Sequence, residues 1–238
     1  MEPKSSARKR GQAFCFAKQG GLYYMREYRK TMIFTSIVIL LPMLVGILLW
    51  DRLPDQMATH FGMDGTPNGW SGKATTVFGM PVFFLVIQWL GMTATIMDPK
   101  RKNMSEKLLK LILWFIPIIS LSGIYVTYGY ALGYNTSSVT WAYVILGIVF
   151  IVVGNYLPKC RQNYTMGIKI PWTLHDEENW NHTHRMAGYL WIVAGIIMLV
   201  NTFLQQEWLV IVVAMAAGIV PTIYSFWYYC KHKGNVEE

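Results

Sequence analysis

Charge is scarce in this chain. Only 14% of its 238 residues are charged and 53% are hydrophobic, whereas an average soluble domain is about a quarter charged. Cysteine is scarce too. Cys15, Cys160 and Cys230 form no CxxC pair, and their spacing suits neither zinc nor a disulfide framework. The long apolar stretches contain no Asp, Glu, Lys, Arg or His near their centres. Carrying ions or protons through hydrocarbon needs compensating charge, so a coupled transporter is disfavoured. There is no HExxH, no facing carboxylate pair and no serine–histidine arrangement within these stretches, which argues against an intramembrane enzyme.

What is present is a series of apolar blocks. They run from Met32 to Trp50, Ala74 to Met97, Leu108 to Leu132, Val139 to Leu157, Gly188 to Leu204 and Trp208 to Tyr229. About twenty apolar residues of helix cross roughly 30 Å of hydrocarbon. The fold class expected is therefore all-α, a polytopic membrane protein of about six transmembrane helices. The first block is too long for a cleaved signal core and is followed by further spans. Only Gln205, Gln206 and Glu207 separate the last two, which predicts a tight antiparallel turn.

The net charge of +8 sits in short tracts beside these blocks. That is the pattern of topology determinants rather than of nucleic-acid binding. Arg26, Arg29, Lys30, Lys100, Arg101, Lys102, Lys107, Lys159, Arg161, Lys169, Arg185, Lys231 and Lys233 fall on one side, against Arg52 and Lys73 on the other. The positive-inside rule then predicts a cell-membrane protein with both termini cytoplasmic, and all three cysteines on the reducing side. Trp50, Tyr130, Tyr134, Trp141 and Trp208 near one set of span ends, and Tyr156, Trp172, Tyr228 and Tyr229 near the other, suit the headgroup layers.

Four regions are expected. Residues 1–30 form a basic cytoplasmic tail, with Met25 an alternative start. Residues 31–107 hold two spans and an outer loop, 51–73. Residues 108–230 hold four spans and an inner loop, 158–186, and residues 231–238 form a second tail. Gln88, Thr93, Thr127 and Asn201 are the most polar residues within spans and suit helix–helix hydrogen bonds; Gly129 and Gly133 form a small-xxx-small pair.

Two loops carry information. In the outer loop, Asp64-Gly65 and Pro67-Asn68-Gly69 are turn signals, so it is expected to be compact and turn-rich. Asp51, Asp55 and Asp64 lack EF-hand spacing, and His60 beside Phe61 reads as a packing residue. In the inner loop, Thr173 and Asp176 fit a capping box, and Asp176-Glu177-Glu178 suit a first helical turn. Leu174, Trp180 and His184 recur on one face, predicting a short amphipathic helix on the inner membrane surface that feeds the fifth span. His175, His182 and His184 invite a metal reading. His182 and His184 are two apart and point away from each other on a helix, so no metal or other cofactor is expected.

These loops resemble those of a known family. The segments Gly154-Asn155-Tyr156-Leu157-Pro158-Lys159, Asn163, Gly167-Ile168, Pro171-Trp172-Thr173-Leu174, Glu177-Glu178, Trp180 and Thr183-His184-Arg185 are similar to SdpI-like bacterial immunity proteins. Leu53-Pro54, His60-Phe61, Gly65, Pro67, Trp70 and Lys73 resemble the small uncharacterised domain that usually precedes them. Lys169-Ile170 and Cys160 depart from the pattern, and His175 and His182 lie outside it. The resemblance implies protection against a secreted membrane-active peptide toxin, and signalling in which a cytoplasmic transcriptional repressor is held at the membrane. It implies partner-binding residues among Asn163, Gly167, Pro171, Trp172, Thr173, Glu178, Trp180, His184, Arg185, Pro54, His60, Gly65 and Lys73, and no catalytic role. The competing readings are a small transporter or channel component, and a membrane enzyme using Glu177, Glu178, His184 and Arg185.

Overall fold

A computed structural model describes residues 27–134 and 137–232. Residues 1–26 of the expected first tail, the alternative start at Met25, Cys15 and Lys233 lie outside the described residues, whereas residues 27–30, expected in that tail, begin the first helix. Among the described residues six helices are long and apolar enough to cross a membrane: α1 (Glu27–Leu48), α2 (Thr75–Ile96), α3 (Glu106–Ala131), α4 (Ser138–Tyr156), α6 (Glu177–Leu204) and α7 (Glu207–His232). A one-turn helix, α5 (Pro171–His175), precedes α6. Between 17% and 33% of each span's apolar window is buried within the chain. The outward face is instead apolar and exposed, as at Leu90, Val200 and Phe203. That inside-out pattern needs hydrocarbon as its solvent, so the chain is a multi-pass membrane protein.

Side chains start several of the helices. The Ser105 hydroxyl accepts from Leu108 N (3.3 Å) and the Ser137 hydroxyl from Thr140 N (3.2 Å). Asp176 accepts from Glu178 N (2.8 Å) and Asn179 N (3.2 Å). Asp176 is thus itself the N-cap of α6. This corrects the capping box expected at Thr173, whose hydroxyl instead accepts from Ile170 N at 3.1 Å inside α5. It also corrects the surface helix: residues 177–187 are the first turns of α6, which continues unbroken into the span. Two of the residues placed on that helix's face, Trp180 and His184, are 0% and 1% exposed, so those turns pack inside the bundle.

The helices form two groups. In the first, Gln88 of α2 donates to Thr35 Oγ1 of α1 (2.8 Å) and to Leu113 O of α3 (3.0 Å). In the second, α4 packs most extensively on α6. A Cβ added at Gly154 would lie 2.9 Å from Gly188 O, and one at Gly195 would lie 2.6 Å from Gly147 O. Two glycine pairs, seven residues apart on each helix, let the backbones touch. Asn179 then ties α6 to α7, donating to Ser225 O (3.0 Å) and accepting from the Ser225 and Thr183 hydroxyls (2.6 and 2.9 Å). The expected Gly129/Gly133 pair does not act this way. Gly133 lies past the end of α3 with φ +78°, a position where glycine ends a helix, and a Cβ there would meet nothing.

At one end, residues 51–73 do more than turn. They form an antiparallel hairpin, β1 (Gln56–Phe61) and β2 (Pro67–Gly72), the only sheet among the described residues. Leu53 and Met57 anchor it on Val77, Ile124 and Tyr128. The other end gathers the loops 97–105 and 157–176 and is termed the basic end below.

Candidate functional site

The loop 157–176 is a small folded unit at the basic end. Asn163, fully buried, organises it. Its Oδ1 accepts from Thr165 N (2.9 Å) and Met166 N (2.7 Å), and its Nδ2 donates to Arg161 O (2.8 Å). Trp180 donates its indole N–H to Cys160 O at 2.7 Å and stacks on His184, with ring centroids 3.9 Å apart. His184 Nε2 accepts from Ile168 N (2.9 Å), and His184 Nδ1 lies 2.8 Å from Trp180 O. An amide can only donate and a carbonyl can only accept, so the ring is neutral with its proton on Nδ1. Both ring nitrogens are consumed, and neither is available to move protons for Glu177 or Glu178. Gly167, with φ +125°, passes directly over this stack: a Cβ there would sit 2.5 Å from His184 Nε2 and 2.7 Å from Trp180 Cη2. The conformation and the close approach both require glycine.

The loop is latched to the first helix group. Asp98, at the end of α2, accepts from Tyr164 N (2.8 Å), Thr165 Oγ1 (2.7 Å) and Lys100 N (2.8 Å). Lys100 Nζ donates to Gln162 Oε1, and Asn103 donates to Gln162 O at 2.7 Å. Gln162 Nε2 reaches back to Thr173 O (2.7 Å) and Leu174 O (2.8 Å). Burial pushes the Cys160 thiol above its usual range, with the Asn163 amide pulling weakly the other way.

The residues singled out from the sequence divide by position. Asn163, Thr173, Trp180 and His184 are buried and hold the loop's shape. Gly167 is half-buried. Pro171, Glu178 and Arg185 are exposed. Trp172 is half-buried, with Phe226 at 5.4 Å and Tyr229 at 6.3 Å between ring centroids. Pro54, His60, Gly65 and Lys73 lie at the opposite end of the bundle. His60 Nδ1 meets Asn68 Oδ1 across the hairpin. Gly65, φ +79°, takes a hydrogen bond on its carbonyl from Ser138 at 3.4 Å. Lys73 folds back onto Trp50 O (3.2 Å), Asp55 (3.4 Å) and the Trp50 ring (5.2 Å). Asp64 is held below the usual carboxylate range by the Thr66 amide and hydroxyl. No cluster of three His, Cys, Asp or Glu suited to a metal occurs among the described residues.

Sequence reasoning passed over Asp98, Gln162, Asn179 and Ser225, and of the four glycines of the α4–α6 contact it singled out only Gly154, as part of the family-like segment. The matched seven-residue glycine spacing was the available signal for the last. Asp98 was visible only as a lone acid beside a basic tract.

This organised loop falls within the part of the chain that known proteins share. Residues 159–225 match the SdpI/YfhL protein family, and residues 37–85 match a domain of unknown function, DUF1648. Over residues 159–225 the chain is similar to the SdpI/YfhL family. It is 29% identical over 213 residues to the immunity protein SdpI of Bacillus subtilis, covering 87% of this chain and 99% of that protein. No solved structure matches it significantly. The SdpI/YfhL match contains the whole Asn163–Gly167–Trp180–His184 unit and runs to Ser225, the partner of Asn179. The SdpI-like segment thus corresponds to a physical unit, a loop locked onto α6 and α6 locked onto α7.

Proposed function

We propose that this chain is a membrane immunity protein that protects its cell against a secreted membrane-active peptide toxin. The observation that carries this is the likeness to the immunity protein SdpI along nearly its whole length, together with the folded loop at the start of the matched segment. The polar side chains within the spans support it. Gln88, Thr35, Asn179, Thr183, Ser225 and Asn201 are spent on bonds within the bundle, which leaves little of their polarity for a path of the kind a transporter needs.

In this reading the protein lies in the cell membrane with both termini in the cytoplasm, as its basic residues favour. The hairpin end, with Pro54, His60, Gly65 and Lys73, meets the peptide outside. The basic end faces a cytoplasmic repressor through the exposed Pro171, Glu178 and Arg185 and the edge of Trp172. Asn163, Gly167, Thr173, Trp180 and His184 set the shape of that surface. Signalling requires the peptide to bind two arrangements of the helices unequally. The test is survival. A sensitive bacterium expressing the chain is challenged with secreted membrane-active peptides while viability and membrane potential are recorded. Expressing cells keep their potential where controls lose it; no difference across a broad panel overturns the proposal.

A further inference from the structure

The two helix groups do not close against each other along their full length. Between α2 and α3 on one side and α4 on the other lies a groove of about 760 Å³. Its walls are mostly Ile, Val, Met, Leu, Phe and Trp side chains between residues 87 and 153, including Trp114 and Ile148, with Gln88 and Thr95 the polar exceptions along the spans. Most of this wall falls between the two family-matched segments, which end at residue 85 and resume at residue 159. Among the residues lining the groove only Asp98 and Lys169 are ionisable side chains of ordinary carboxylate or ammonium type, and both sit at the basic end.

Beside the one carboxylate at that mouth, Asp98, stand two ammonium groups, Lys169 in the lining and Lys100 next to it. Asp98 is already saturated by the Lys100 amide, the Tyr164 amide and the Thr165 hydroxyl. Lys169 is exposed, and its ammonium donates to Tyr164 O (3.2 Å) and Thr165 O (3.1 Å), leaving one of its three N–H groups to point elsewhere. Lys100 lies over the Tyr164 ring at 5.7 Å. An apolar slot running into the bilayer, with ammonium groups at its end, is complementary to one class of molecule: acyl chains carrying an anionic headgroup.

We propose that this groove binds an anionic phospholipid, its chains between α2, α3 and α4 and its phosphate at Lys169 and Lys100. The lipid fills the wedge between the two helix groups, beside the Asp98–Thr165 latch. Gly91 supplies the test, because it lies in the groove wall and a Cβ there meets nothing. A larger side chain therefore enters the groove without disturbing the helix. Gly218 on α7 is equally open and lies outside the groove, which makes it the control.

The purified full-length chain is equilibrated with mixed micelles holding equal phosphatidylglycerol and phosphatidylcholine, and retained lipid is counted by native mass spectrometry. The expected result is one phosphatidylglycerol per chain, enriched about tenfold or more over phosphatidylcholine, the scale set by two basic side chains at a membrane surface. Gly91→Leu abolishes retention, Gly218→Leu keeps it, and Lys169→Glu removes the preference for phosphatidylglycerol. Helical circular dichroism confirms that each variant is folded, and the wild-type preference alone decides the matter if a variant is not. Equal retention of both lipids, retention unchanged in Gly91→Leu, a dimer seated in the groove or a co-purifying peptide in place of lipid each overturns the proposal.

Discussion

The Thr165 hydroxyl donates to Asp98 Oδ2 at 2.7 Å across 67 residues of sequence. Asp98 is 8% exposed and takes two more donors from the backbone, so one carboxylate holds the loop of the second helix group to the first. Asp98→Ala orphans all three donors. The expected cost is about 2–3 kcal/mol, read as a lower melting temperature in detergent. Asp98→Asn keeps an acceptor and is expected to lose less. A melting temperature unchanged in Asp98→Ala would show that the latch contributes nothing.

The α4–α6 contact makes a second prediction. A side chain at Gly188 would meet Pro158 Cγ at 2.6 Å and Gly154 O at 2.8 Å, and the carbonyl cannot swing away. Gly188→Val is expected to destabilise by about 1–3 kcal/mol or to abolish folding, whereas Gly218→Ala, with open space around it, is neutral. Comparing thermal melts of the two variants tests this. Equal behaviour would mean that the helices can separate freely.

Gly167 separates shape from contact. Gly167→Ala strains a positive-φ position and pushes on the Trp180–His184 stack, at about 1–3 kcal/mol. Arg185→Ala removes an exposed side chain and is expected to shift stability by no more than about 0.5 kcal/mol. Both are expected to weaken recruitment of a cytoplasmic partner, and only the first to lower the melting temperature. Recruitment intact in Arg185→Ala would move the docking surface elsewhere.

The Cys160 thiol gives a pH dependence. Its folded value is raised by burial above the ordinary 9.0, so between those two values the unfolded chain has ionised and the folded chain has not. Stability is full below pH 9.0 and declines as pH rises through the folded value. The neutral thiol is also slow to alkylate. At pH 8, maleimide is expected to label the exposed Cys230 rapidly and Cys160 only after denaturation. Rapid modification of Cys160 in the native protein, located by mass spectrometry, would contradict this.

The spans were legible because each is a continuous apolar run of bilayer length, and their ends were found to within a few residues except at α6. There the polar run from Glu177 to Arg185 masks helix that is buried by hydrogen bonding rather than by hydrophobicity: Asn179, Thr183 and His184 each find partners inside the bundle. The hairpin was legible as turns but not as strands, because Thr59, His60, Asn68 and Gly69 alternate weakly and the register shifts at His60. Trp180 and Trp172 were both expected to bind a partner. Only the fold distinguishes the one bonded to Cys160 from the one at the edge of α7.

The paired glycines of α4 and α6 also limit how the molecule can move. Sliding one helix past the other by a turn, about 5.4 Å, would bring a branched side chain such as Ile151 or Ile192 against the opposing backbone where only hydrogen fits. Translation along that interface is therefore opposed, and the Asn179–Ser225 bonds join α7 to the same unit. In the proposed signalling role, the rearrangement left open is a tilt of that unit against α1–α3 rather than a slide.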